Sequence, residues 1–277
     1  MAIDERIVKL GILIGDKLRW YEDLNIIATG ELFVTPVLGV LELTITNLAR
    51  DVRELLQREC APQIKSDIRK SVILEVGRKS YGTSTLISAD IFRVSVGQKP
   101  DMDLNFSCIP NFFYKNKSVS ISHPASTLLS TIAQSVANAN GLALSFEIAD
   151  RQVKSCSYSG TADGYVKLLA SLTGSDVYVS GGLLVVKDKS KSKRGTSVVR
   201  INKTNGMVGV PQSVEYGVKV TTLYNPTLRV GGRIEIESEI CPQLNGQYIV
   251  IRLLFDITNR GDPFYLTAEA RFAEDRI

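Results

Sequence analysis

Histidine is almost absent from this chain of 277 residues, which contains only His123. A Ser-His-Asp or Cys-His nucleophile system would have to be built around it. Because His123 stands directly before Pro124 and a helical pattern, we interpret it as part of a helix-capping region. The motifs GxxxxGK[ST], GxGxxG and HExxH are also missing, so nucleotide hydrolysis, dinucleotide binding and zinc proteolysis lack their usual sequence support. We therefore predict no catalytic residue and no cofactor.

Cysteine is scarce and scattered, at Cys60, Cys108, Cys156 and Cys241, with no CxxC pair. This spacing is typical of neither a zinc site nor a disulfide framework. The opening residues, MAIDERIVKL, lack a basic segment followed by an apolar one, so we expect no secretory signal. Four buried free thiols and no metal are therefore expected.

An excess of charge is lacking too, because 33 Lys and Arg face 29 Asp and Glu, for a net charge of +4. A balance this close does not favour a nucleic-acid or membrane partner. The long uncharged stretch between Lys117 and Glu147 is full of Ser, Thr, Asn and Gln, which lipid solvates poorly. We expect no membrane insertion by this chain.

Strand-forming residues dominate the first part of the chain. Arg6 to Ile14, Leu24 to Thr29 and Leu38 to Thr46 are rich in Leu, Ile and Val and are separated by turn residues, which predicts strands of a sheet or barrel. A helix follows, with Asn47 as its predicted N-cap and Pro62 at its end. Its apolar stripe consists of Leu48, Val52, Leu55, Leu56 and Cys60.

Two long stretches alternate apolar and polar side chains, as half-buried hairpins do. The apolar positions of the first, around GQKPD, are Phe92, Val94, Val96, Met102, Leu104, Phe106 and Cys108. Those of the second, around TNRGD, are Ile249, Ile251, Leu253, Phe255, Ile257, Phe264, Leu266, Ala268, Ala270 and Phe272. Their positions near the ends of two β-rich regions suggest a duplicated β unit.

Between the hairpins the pattern changes to mixed helix and strand. One helix is predicted from Pro124 to Ala139, ended by Asn140-Gly141, and another in TADGYVKLLASLTG, with Thr161 as N-cap and Gly174 at its end. LALSFE, VKSCSY and DVYVSGGLLVVK are predicted strands. This indicates a small α+β domain inserted between the β units, with Lys187 to Gly195 as a solvated linker. The predicted fold class is α+β, mainly β.

Three stretches resemble the baseplate hub proteins of contractile-tailed bacteriophages. They are LELTITNLARDVRELLQREC, the central SHPASTLLSTIAQSVANANGLAL with SGTADGYVKLLASLTGSDVYVSGGLLVVK, and GVPQSVEYGVKVTTLYNPTLRVGGRIEIES. The resemblance covers most of the chain and lies in the order of these patterns. It includes an I-x-N-L-x-x-x-x-R stretch from Ile45 to Arg53 and an L-x-N-P-x-x-x-x-G-G stretch from Leu223 to Gly232.

The resemblance implies two tail-tube-like β-barrels and a small α/β domain. Residues 1–117 would form the first barrel domain with one helix, 118–190 the small α+β domain and 191–277 the second barrel domain. Three copies would form a pseudo-sixfold ring in the virion tail baseplate, assembled in the bacterial host cytoplasm. The ring would join the hexameric tail tube to the trimeric central spike, with possible baseplate wedge and tape-measure partners. Passing DNA would cross it without sequence-specific binding, and any spike or lytic enzyme would be a separate chain.

Within this picture we predict two groups of functional residues. The polar faces of the hairpins would line the channel, because their other faces must pack in the barrels. The channel residues are Arg93, Asp103, Asn105, Arg252, Glu269 and Arg271. The second group, Asn225, Pro226, Gly231 and Gly232, would shape a loop of the second barrel, since Pro fixes φ and Gly permits tight bends.

Three other functions remain open at this point. A distal tail or tube-initiator protein would share the barrels but assemble with sixfold symmetry. A peptidoglycan hydrolase requires only two carboxylates, and nothing singles out a pair among the 29 acidic residues. A cell-wall-binding module would rest on the central α+β segment alone.

Overall fold

The computed structural model describes residues 4–60, 68–98 and 100–273 and is built mainly of β-strands. Among these residues are four α-helices: α1 Arg50–Glu59, α2 Phe112–Lys115, α3 Leu129–Ala139 and α4 Ala162–Thr173. A short 3₁₀ turn lies at Pro242–Leu244. No helix in the described part of the chain is long and apolar enough to cross a membrane.

The strands fall into three stretches of the chain. The first stretch contains β1 Arg6–Ile14, β2 Lys17–Tyr21, β3 Ile26–Phe33, β4 Val40–Thr46, β5 Lys70–Arg78, β6 Gly82–Val96 and β7 Asp103–Ile109. The middle stretch contains β8 Ser118–His123, β9 Thr127–Leu128, β10 Ala143–Glu147, β11 Gln152–Val153, β12 Cys156–Thr161, β13 Asp176–Ser180 and β14 Leu183–Lys187. The last contains β15 Val199–Asn202, β16 Met207–Val214, β17 Gly217–Leu223, β18 Arg233–Glu237, β19 Gly246–Thr258 and β20 Phe264–Phe272.

One sheet of thirteen strands contains every strand of the first and last stretches. Its main order is β16-β17-β20-β19-β3-β4-β7-β6-β5-β1-β2, with β18 paired to β19 and β15 to β18. The two ends of the chain therefore meet inside the sheet, where β19 pairs with β3 in antiparallel fashion. One hydrophobic core packs against both sets of strands.

The same strand order occurs twice in this sheet. The series β3-β4-β7-β6-β5-β1 in the first stretch matches β16-β17-β20-β19-β18-β15 in the last. The match differs at its end, because β1 and β5 are antiparallel whereas β15 and β18 are parallel. We call these two sets the first and second β units.

A β-bulge lies at the same place in both long hairpins. In β6 the extra residue is Phe92, between Ile91 and Arg93, and in β19 it is Ile251, just before Arg252. An extra residue reverses the alternation of side chains on one side of it. The predicted placement of Phe92 on the apolar face is therefore wrong, and its side chain is 52% exposed.

The bulge in β19 also shifts its apolar face. Tyr248 and Val250 belong to the main core together with Leu253. The extra residue Ile251 shifts the alternation by one position, so even-numbered residues face the core before the bulge and odd-numbered residues face it after the bulge. Ile249 is fully buried, but it lies outside the main core and opposite Arg271 on β20, so its predicted place on the same face as Leu253 is wrong. Ile251 itself is half-buried against the rim of the core.

Helix α1 has the predicted apolar stripe but a different start. Leu48, Val52 and Leu56 are buried. The predicted N-cap is wrong: Ala49 occupies that position, while Asn47 has φ of 59° and accepts a hydrogen bond from the Met102 backbone N–H at 3.2 Å. The predicted stop at Pro62 lies outside the described residues.

A second hydrophobic core holds the middle stretch together, with α3 and α4 packed on the β10-β14-β13 sheet. Both caps of α4 are confirmed: Thr161 accepts a hydrogen bond from the Gly164 N–H at 3.1 Å, and Gly174 has φ of 65°. Helix α3 starts at Leu129 instead of Pro124. The capping interpretation of His123 is wrong, because His123 is the last residue of β8. Its imidazole Nε2 lies 2.8 Å from the hydroxyl of Tyr165.

The four cysteines are free thiols. Cys108 and Cys156 are buried, whereas Cys60 and Cys241 are only half-buried, so the prediction of four buried thiols holds for two of them. Burial raises the pKa of the Cys60 thiol, which keeps it protonated and unreactive at neutral pH.

Candidate functional site

The face of the sheet opposite the main core carries mostly polar side chains over strands β6, β7, β4, β3, β19, β20 and β17, with Ile27 and Leu254 among the exceptions. In β7, Asp103 and Asn105 alternate with Leu104 and Phe106 of the main core, so they lie on the opposite face. In β20, Glu269 alternates in the same way with Ala268 and Ala270. We call this surface the polar face.

The half of the polar face on the first β unit is bound together by hydrogen bonds between β4 and β7. The Thr46 hydroxyl donates to the carboxylate of Asp103 at 2.6 Å, and the Thr44 hydroxyl donates to the amide oxygen of Asn105 at 2.7 Å. Arg93, which is exposed, lies opposite Ser107 on the neighbouring strand. Asp103 and Asn105 are half-buried in this row.

The centre of the polar face is Arg252, at the junction between the two β units. Its guanidinium donates to Glu31 on β3 at 2.6 Å and lies 3.4 Å from Glu269 on β20. The ring of Phe33 lies 5.3 Å beneath the guanidinium. The hydrogen bond to Glu31 is the main reason that the pKa of Arg252 is raised. Arg252 therefore bridges β3 and β19, which belong to different units.

Arg271 lies at one end of the polar face and contacts the middle stretch. Its guanidinium donates to the carboxylate of Asp176 on β13, which also accepts a hydrogen bond from the Lys187 ammonium at 2.8 Å. Asp176 and Lys187 are almost completely buried. Lys187 was expected to begin a solvated linker; this is wrong, because it is the last residue of β14 and its ammonium is enclosed by this ion pair and two carbonyl oxygens.

A shallow groove crosses the polar face beside Arg252. Glu31, Glu42, Asp256, Tyr265 and Thr267 are among its lining residues. Burial raises the pKa of Asp256. Within the described residues no group of three or more His, Cys, Asp or Glu is arranged to hold a metal ion. The face carries charges of both signs that largely pair with each other.

The loop between β17 and β18 contacts two other parts of the molecule. Its first residue, Tyr224, donates a hydrogen bond to the Val76 carbonyl of β5 at 3.1 Å, and Arg229 donates to the Thr85 carbonyl of β6 at 3.2 Å. Near its end, the Gly231 carbonyl accepts a hydrogen bond from the Lys193 N–H at 2.9 Å. The loop thus contacts the first β unit and the segment that follows the middle stretch.

The predicted loop residues Asn225, Pro226, Gly231 and Gly232 all lie in this connection. Asn225 accepts hydrogen bonds from the backbone N–H and hydroxyl of Thr227, which closes an Asx turn. Gly231 has φ of +76°, and a Cβ there would lie 2.3 Å from the hydroxyl of Tyr178. Glycine is therefore required at this position both for backbone conformation and for space. Sequence reasoning missed the anchoring by Tyr224 and Arg229, for which no local pattern exists.

A family model and solved structures of tail proteins both match this chain. The family model described as baseplate hub gp41 matches residues 7–270. The 43 kDa tail protein of prophage MuSo2 from Shewanella oneidensis has a TM-score of 0.65 and 13% identity, with 95% of this chain and 98% of that chain covered. No curated protein matches the chain.

Two further solved structures share the fold. The tail protein from Neisseria meningitidis MC58 has a TM-score of 0.63 and 8% identity over 96% of each chain. The E. coli c3393 protein, described as a component of the type VI secretion system with structural similarity to the T4 bacteriophage tail proteins gp27 and gp5, has a TM-score of 0.58 and 9% identity. In that comparison 98% of this chain and 75% of the other are covered.

Proposed function

Because this chain belongs to the baseplate hub gp41 family of structural phage tail proteins, we propose that three copies form a closed ring in the baseplate. The ring joins the hexameric tail tube on one side to the trimeric central spike on the other. Wedge and tape-measure proteins are further partners, and assembly takes place in the host cytoplasm before the tail is complete.

The repeated strand order is the observation that carries this proposal. Each chain presents two β units with the same series of strands and the same bulge followed by an arginine, Arg93 in one unit and Arg252 in the other. Three such chains present six similar units to a sixfold partner and remain threefold towards a trimeric one. Duplication within the chain therefore resolves the symmetry mismatch between tube and spike.

The polar face supports the second element of the proposal, a central channel. Arg93, Asp103, Asn105, Arg252, Glu269 and Arg271 lie on this face, and the opposite face of their hairpins packs in the core. We assign this face to the channel wall. Its paired charges of both signs would let DNA pass without tight binding, because no run of unpaired cations faces the phosphates.

The mass of the purified protein in solution tests this function. Light scattering across a range of concentrations should give three times the chain mass for the protein alone, and that mass plus the mass of the spike trimer when spike protein is added. Electron-microscope images of the ring without spike protein should show threefold rings with open centres. Six copies per ring would favour a tube initiator instead. A persistent monomer in both conditions would contradict the proposal, and a lytic zymogram band or recovery on cell walls would point to a hydrolase or a binding module.

A further inference from the structure

The junction inside the chain is a strand pair with a defined register. The first residues of β19 pair with β18, and the remainder, Arg252 to Thr258, pairs with β3. Arg252 lies opposite Phe33 and Leu254 lies opposite Glu31. This junction continues the sheet from the second β unit into the first.

No described strand occupies the equivalent junction on the other side of each unit. The first part of β6 pairs with β5 as far as Asp90, but within the described residues its remainder, Ile91 to Val96, pairs with β7 alone. Strand β16, the equivalent of β3, pairs with β17 alone among the described strands and forms one edge of their sheet. Unpaired edges of this kind add strands readily.

The internal register predicts how these two edges would meet. Glu42 on β4 and Lys219 on β17 occupy equivalent positions, since they lie opposite Ser107 and Glu269, the cross-strand partners of Arg93 and Arg252. Opposite Glu42 on the next strand is Thr29, and opposite Lys219 is Gln212. Thr29 and Gln212 are therefore equivalent, and two residues further along these strands Glu31 is equivalent to Val214. In the same way, two residues after Arg252 and Arg93, Leu254 is equivalent to Ser95.

The side chains at the two edges have matching chemistry. Arg252 is held at the internal junction by a carboxylate, Glu31, and an aromatic ring, Phe33. The turn that follows Val214 contains an exposed carboxylate and an exposed ring, Glu215 and Tyr216, and Tyr216 is 65% exposed. Arg93, the equivalent of Arg252, is exposed on β6.

We propose that β6 of one copy pairs antiparallel with β16 of the next copy, with Ser95 opposite Val214 and Arg93 against the Glu215–Tyr216 turn. This contact rests on the proposed ring, whose copies it joins head to tail. It reproduces between chains the junction that β19 and β3 make within one chain. A ring of three copies then has six junctions of the same kind.

Disulfide trapping tests this pairing directly. In a Ser95→Cys/Val214→Cys variant, mild oxidation should link copies into covalent trimers on a non-reducing gel, because each copy offers one residue to each neighbour. The mismatched variant Ser95→Cys/Val208→Cys should link at least tenfold more slowly, since its thiols would be four or more residues out of register. Each single-cysteine variant controls for the four natural thiols.

The outcomes separate the contact from the ring. Trimeric mass with trimers trapped only in the matched variant supports the pairing. Trimeric mass with no trapping, or with trapping that stops at dimers, overturns the pairing and leaves the ring intact. Absence of a trimer of the wild type both with and without spike protein overturns the ring and the pairing together.

A charge exchange provides a second readout on correctly folded protein. Arg93→Glu should raise the concentration at which half of the trimers dissociate by about tenfold. The double variant Arg93→Glu/Glu215→Arg should bring this concentration most of the way back to the wild-type value. Lys154→Glu, an exposed change in the middle stretch, which contributes no strand to the thirteen-stranded sheet, should have no effect. Failure of the double variant to recover would overturn the assigned contact.

Discussion

The Nη2 atom of Arg252 lies 2.6 Å from a carboxylate oxygen of Glu31, although 221 residues separate the two in the chain. This ion pair connects β19 to β3, the two strands whose pairing joins the β units into one sheet. It is therefore the first place to measure how strongly the units are coupled.

A double-mutant cycle on Arg252→Ala and Glu31→Ala should give a coupling energy of about 0.5–1 kcal/mol in the free energy of unfolding. Both side chains are about one-third exposed, so solvent screens part of the attraction and the value should fall in 1 M salt. The same cycle on Arg50 and Glu54, whose side chains are 82% and 57% exposed, should give a smaller coupling, below about 0.5 kcal/mol. Equal couplings for the two pairs would contradict a specific role at the junction.

Gly231→Ala should destabilise the protein by roughly 2–4 kcal/mol, because the new Cβ combines an unfavourable φ with a clash against Tyr178. Gly261→Ala is the matched control, since its φ of +75° is almost the same but nothing lies within 4 Å of its Cβ. It should lose only about 1 kcal/mol. Denaturant unfolding of both variants measures the difference, and equal losses would show that the space beside Tyr178 is not limiting.

Asp176→Ala should cost about 3–5 kcal/mol of unfolding free energy, because it leaves the buried ammonium of Lys187 and the guanidinium of Arg271 without their shared carboxylate. Asp176→Ala/Lys187→Met should recover part of the loss by removing the unpaired buried charge. Glu235→Ala, which breaks an ion pair with the 67% exposed Arg200, should cost less than about 1 kcal/mol. A small loss for Asp176→Ala would mean that the middle stretch is not anchored through this residue.

Asp256→Asn and Asp188→Asn should change the pH dependence of stability in opposite directions. Burial raises the pKa of Asp256, so wild-type stability from this group is present below pH 3.8 and is lost as the pH rises through the folded pKa. Hydrogen bonds from Ser190 lower the pKa of Asp188, so its contribution is present above pH 3.8 and is lost as the pH falls through the folded pKa. At pH 7, therefore, the first change should stabilise and the second destabilise; unfolding curves at pH 4 and pH 7 check both signs.

Local sequence signals predicted the elements that depend on local chemistry. The bounds of β1 and both caps of α4 follow directly from composition and from Thr161 and Gly174. The β13–β14 hairpin follows from Gly181 and Gly182, which both have positive φ. Strand β5 was missed although Val72, Leu74 and Val76 alternate as a half-buried strand should.

Features that depend on distant contacts could not be predicted in this way. The bulges at Phe92 and Ile251 interrupt an otherwise regular alternation without any Gly or Pro to mark them. Asn47 is a residue type that is common at helix N-caps, but its side chain accepts a hydrogen bond from the backbone N–H of Met102, which is distant in the sequence. The burial of Lys187 depends on Asp176, and the β3–β19 junction on strands from opposite ends of the sequence.

The polar-face residues were found because alternation alone places them opposite a buried row. Asp103, Asn105 and Glu269 keep that relation because the bulges lie in the partner strands β6 and β19, and not in β7 or β20. Arg271 is on the polar face, and its hydrogen bond to Asp176 joins the sheet to the middle stretch. No sequence pattern predicts this contact.

The most direct test of the ring is an electron-microscope reconstruction of the isolated particle calculated without imposed symmetry. We expect three copies around an open centre, with six similar β units in the wall and the polar face turned towards the channel. Six copies in the ring, or a wall in which Arg93 and Arg252 face outwards, would contradict it.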